Sequence, residues 1–76
     1  MEESRRTEIE QQARASVVAE FLTVTTGRTP DRVEEAEARA AWLVDLTDRE
    51  YQFYANARAA AMGALRASVR AVLARR

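Results

Sequence analysis

The sequence predicts an all-α fold of three helices, and three observations carry that reading. Apolar residues recur at intervals of three and four along most of the chain. Alanine, the strongest helix former, is abundant, against two glycines and one proline. Gly27 with Pro30, and then the polar run Asp45–Glu50, cut the chain into segments of about 5–25, 30–44 and 48–73. At 76 residues the chain supports one domain, residues 1–76, with 1–5 and 75–76 expected to fray.

The first helix starts near Ser4 or Thr7. Thr7 and Glu10 have capping-box spacing, and Ser4 offers an earlier cap. Ile9, Ala13, Val17, Phe21 and Val24 share one side. Val18 and Leu22, with Ala15 and Ala19, form a second apolar strip well round the surface, so this helix asks for cover on two sides. The β-branched run Thr23–Thr26 weakens the helix, and Gly27 suits a left-handed C-cap. Residues Phe21–Thr26, followed by two helices, also have the composition of a ribbon-helix-helix strand. That strand would carry no basic side chain, and the helical period upstream runs straight into it.

The second helix starts with Thr29 as N-cap, Pro30 in the first position and acids in the opening turn. Val33, Ala36, Ala40, Leu43 and Val44 make its expected core face, with Trp42 pointing the other way. Thr47 and Glu50 form a second capping-box pair, with Leu46 placed to staple onto Tyr51.

The third helix would be roughly 40 Å long, more than a compact bundle of this size needs. Tyr51, Ala55, Arg58, Met62, Leu65, Val69 and Val72 form a heptad-like seam. Phe53, Ala57, Ala60, Ala64, Ala67, Ala71 and Ala74 form another almost opposite it. Such a helix packs on two sides or presents alanine to water, and Gly63 either permits a close crossing or marks a weak spot.

Composition excludes much chemistry. The chain has no cysteine and no histidine, which removes disulfides, thiolate nucleophiles, imidazole bases and zinc sites with Cys or His ligands. The two glycines stand alone, so there is no Gly-rich phosphate loop. Glu20 and Glu37 could approach across two helices and hold a hard cation, although such sites usually recruit more ligands. No enzyme activity, cofactor or metal is expected. With no signal-peptide pattern and no long apolar run, the expected location is cytoplasmic, and a membrane partner is not expected.

Charge is balanced overall but unevenly placed. Residues 1–50 carry seven arginines and all twelve acids, net −5, whereas 51–76 carry five arginines and no acid, net +5.

The surplus of apolar helix surface points to a protein-interaction or scaffold module that acts by self-association, with a homodimer favoured, or as a small subunit of another protein. Trp42, Tyr51, Phe53, Tyr54, Met62, Leu65 and Val69 are the candidate interface residues. Trp42 would equally serve to close the corner between the second and third helices. Arg58, inside the seam, would either pair with a carboxylate and set partner choice or snorkel to water. The alternative function is a small DNA-binding regulator using the basic last helix, with Arg66, Arg70, Arg75 and Arg76 as candidate phosphate contacts.

Overall fold

A computed structural model of the chain describes residues 2–28 and 32–75. These form three α-helices: α1 (Glu3–Thr26), α2 (Val33–Val44) and α3 (Asp48–Ala74). The fold class is the one expected. None of these helices is long and apolar enough to cross a membrane.

Each helix boundary has a local cause. α1 starts at Glu3, earlier than either expected cap, with no side-chain cap at Glu2. Thr7 is therefore already in the second turn, where its hydroxyl donates to the Glu3 carbonyl at 3.1 Å. The β-branched end of α1 stays helical because its hydroxyls hold the preceding turn. Thr23 Oγ1 donates to Ala19 O at 2.8 Å, Thr25 Oγ1 to Phe21 O at 2.8 Å and Thr26 Oγ1 to Leu22 O at 2.6 Å. This continuity also rules out a strand at Phe21–Thr26. Gly27 then adopts φ 71° and ψ 9°, and its N–H reaches the Thr23 carbonyl.

The expected Thr29–Pro30–Asp31 start of the second helix lies outside the described residues. α2 itself starts at Val33 after an extended Arg32, with Glu34 and Glu35 placed favourably in its first turn. α3 has the full capping box: Glu50 N–H donates to Thr47 Oγ1 at 3.1 Å, and Thr47 N–H donates to Glu50 Oε1 at 3.0 Å.

α1 and α3 lie side by side and run the same way, since Arg5 meets Glu50 at one end and Val17 and Leu65 line one groove further along. α2 runs back between them in sequence. The Cα envelope measures 43 × 27 × 17 Å, a shallow slab in which no helix is wrapped on all sides.

The core is small and sits in the first half of the α1–α3 contact. Ile9, Ala13, Val17 and Tyr54 are the buried residues among those described, with Trp42, Leu43, Leu46, Phe53 and Ala57 packed against the cluster. The α1 seam is thus the expected one up to Phe21, beyond which Val24 is 79% exposed.

α3 keeps most of its expected seam inward, whereas α2 is rotated from expectation. The α3 seam turns inward through half-buried Ala55, Arg58, Met62, Leu65 and Val69, leaves its ends Tyr51 and Val72 largely exposed, and adds buried Tyr54. The Tyr54 ring packs with Ile9 and Ala13 at the centre of the core cluster. α2 docks through Trp42 and Leu43, leaving Val33, Ala36, Ala40 and Val44 exposed. The reason is area, because one indole outweighs a row of alanine and valine side chains.

Candidate interaction surface

Two features bear on function: a polar knot at the end where α1 and α3 start, and an uncovered apolar face along α1 and α3. The knot comes from residues that the sequence scatters across all three segments. Arg5 Nε donates to Glu50 Oε2 at 2.6 Å, and Arg5 Nη1 donates to Glu8 Oε2 at 2.9 Å. Trp42 Nε1 donates to Glu8 Oε1 at 3.1 Å. The Arg5 guanidinium also lies 5.6 Å from the Trp42 ring centre, and Trp42 meets Tyr54 edge-on at 5.9 Å.

These contacts lower the carboxylate pKa values. The Arg5 hydrogen bond and the capping-box bond from Thr47 hold Glu50 at about 2, and the Arg5 and Trp42 bonds lower Glu8. No local spacing marks Arg5, Glu8 and Glu50 as a cluster. Only the Thr47–Glu50 spacing gave a local signal, and it concerned a cap rather than an interhelical pair.

Several candidate interface residues are used inside the chain. Tyr54 is buried, and Trp42 is half-buried in the knot, where it closes the corner between α2 and α3. Phe53 is half-buried beneath Arg6, whose guanidinium is 5.4 Å from the ring centre. Tyr51 is 55% exposed. Met62, Leu65 and Val69 are half-buried, Met62 and Leu65 beside α1 residues.

Arg58 follows the snorkelling course, with a carboxylate partner that is exposed rather than buried. It emerges to pair with Glu20 through Nη2, while its Nε is enclosed without a hydrogen-bond partner. Glu20 is therefore engaged with Arg58. No cluster of three or more carboxylates that could hold a metal ion occurs among the described residues. Arg66, Arg70 and Arg75 are exposed and have no ion pair among the described residues. Arg76 lies outside the described residues.

The uncovered face holds two open grooves, one on each side of the ridge formed by Arg14 and Val18. The first lies between α1 and α3 and measures about 470 Å³. Val17 and Leu65 line it together with Ala57, Ala60, Ala61 and Ala64, while Glu10, Arg14 and Ser68 supply its polar atoms. The second, of about 440 Å³, separates the second apolar strip of α1 from Arg39 of α2. That strip was legible in sequence. α2 joins the core through Trp42 and Leu43 near its end, and Val18 and Leu22 remain 43% and 38% exposed. Compared with protein-family models, with curated proteins and with solved structures, the chain matches none.

Proposed function

We infer that the chain is a protein-interaction module that works without catalysis, either by associating with a second copy of itself or by joining another protein as a small subunit. The observation that supports this reading is the imbalance between what the helices bury and what they leave out. The buried set is Ile9, Ala13, Val17 and Tyr54, whereas Val18, Leu22, Val72 and Leu73 stand among the exposed large apolar side chains. Full burial of one such side chain contributes about 1.5–3 kcal/mol. A chain this short has little stability in reserve, so covering that surface would be a large fraction of the total. A cytoplasmic location belongs to the same reading.

Unfolding followed by circular dichroism at increasing protein concentration tests it. Helix content and midpoint temperature are expected to rise with concentration, because a partner that binds only the folded chain stabilises it by mass action. A dilute monomer with an unfolding free energy well above about 5 kcal/mol, the ordinary floor for a domain, contradicts it.

The nucleic-acid reading has one observation of its own, the exposed Arg66, Arg70 and Arg75, without an ion pair among the described residues, on a helix whose last acid is Glu50. Duplex DNA binding that falls steeply with salt supports it. Changing Arg66 and Arg70 together to alanine should lower the salt slope by about 2. Binding that ignores this double change counts against it.

A further inference from the structure

We propose that the face carrying the two grooves seats a second copy of this chain about a twofold axis; this rests on the interaction reading above and names its partner. In a closed pair the same patch meets itself, so the patch has to be its own complement in shape and in charge.

The shape meets that condition. Val18 and Leu22 form a partly exposed ridge on α1. Beside it lies a trough lined by Ala57, Ala60, Ala61 and Ala64, whose single methyl groups leave about 470 Å³ open. A twofold axis brings the ridge of each copy to the trough of the other. Two bulky knobs then fill two alanine-lined hollows, the close packing that small residues permit between helices.

The charges meet it too. Glu10 and Arg14 border the same groove, one turn apart on α1, and neither has an ion pair among the described residues. Across a twofold axis Glu10 of one copy faces Arg14 of the other, and the converse pair forms at the same time. A ligand of one sign, such as an acidic peptide or a phosphate backbone, would leave one of these two charges opposed to it. The chain also has zero formal net charge, so two copies meet without net repulsion.

Sedimentation equilibrium over a wide concentration range tests the proposal, with circular dichroism confirming that each variant stays helical. The unaltered chain is expected to be a dimer. Val18→Glu and Ala64→Glu change exposed positions on different helices. Each should weaken dimerisation by roughly a hundredfold, since each buries a charge twice across the axis. Glutamate is a good helix former, so the Ala64 variant remains informative even if Val18→Glu misfolds.

Glu10→Arg and Arg14→Glu, each alone, should weaken the dimer roughly tenfold by placing like charges across the axis twice over. The two together should restore most of the affinity. A chain monomeric at every concentration overturns the proposal, as does a double reversal no better than the single changes. A dimer that survives both Val18→Glu and Ala64→Glu also overturns it. That last result leaves the interaction reading standing, with association through another surface.

Discussion

Trp42 is the side chain through which α2 is joined to the rest of the molecule. Its ring packs on Tyr54 and under Arg5, and its indole N–H donates to Glu8. Trp42→Phe keeps most of the ring and loses the hydrogen bond, so a loss of about 1 kcal/mol is expected. Trp42→Ala removes the ring, and about 3 kcal/mol is expected for a half-buried aromatic. Denaturant unfolding of the two variants separates the packing from the hydrogen bond. Equal losses would show that the ring contributes nothing beyond its N–H.

Glu50 makes a pH prediction. Its folded pKa is depressed to about 2 from an ordinary 4.5. A depressed carboxylate contributes stability that is fully present above the unfolded pKa and is lost as pH falls through the folded one. The midpoint temperature is therefore expected to drop between about pH 5 and pH 2, with Glu8 acting in the same direction. Glu50→Gln should flatten that drop, and an unchanged slope in this variant would exclude the knot as its source.

At the scale of the elements, the two glycines have opposite roles. Gly27 ends α1 with φ 71°, a conformation that costs an L-residue about 1 kcal/mol. Gly63 is inside α3, and a methyl group built there meets nothing within 4 Å. Within one chain, therefore, it serves no close crossing and is a weak point. Gly27→Ala should lower stability by about 1 kcal/mol, and Gly63→Ala should raise it by about as much. Thermal unfolding at one low protein concentration compares them. A destabilised Gly63→Ala would mean that another chain approaches α3 there. The threonine-rich end of α1 illustrates how helix propensity can be overridden locally, since each hydroxyl finds a carbonyl one turn back.

At the scale of the whole molecule, stability is concentrated where α1 and α3 meet. The first half of α2 is exposed from Arg32 to Ala38 and supplies none of the partly buried hydrophobic residues packed against the core. Amide hydrogen exchange should therefore be fastest in α2 near Val33–Ala38 and slowest around Ile9–Val17 and Tyr54. Uniform protection over the three helices would show that α2 is held by more than its far end.

The three helices, the glycine that ends α1, the capping box that opens α3, the Ile9–Ala13–Val17 seam, most of the α3 seam and the excess of apolar surface are legible in the order of the amino acids alone. Each is a local property: hydrogen bonding along a helix and a period of 3.6 residues are written in neighbouring positions. Packing between distant segments sets the rest: α1 and α3 run the same way, Trp42 faces inward in place of the expected α2 face, Tyr54 joins the α3 seam, and Arg5 meets Glu50. Arg5 and Glu50 are 45 residues apart, and Trp42 and Glu8 are 34 apart. The rotation of a helix about its axis is set by competition among all its faces for area on its neighbours. A large ring wins that competition over a longer row of small residues, and nothing in the local sequence records the outcome.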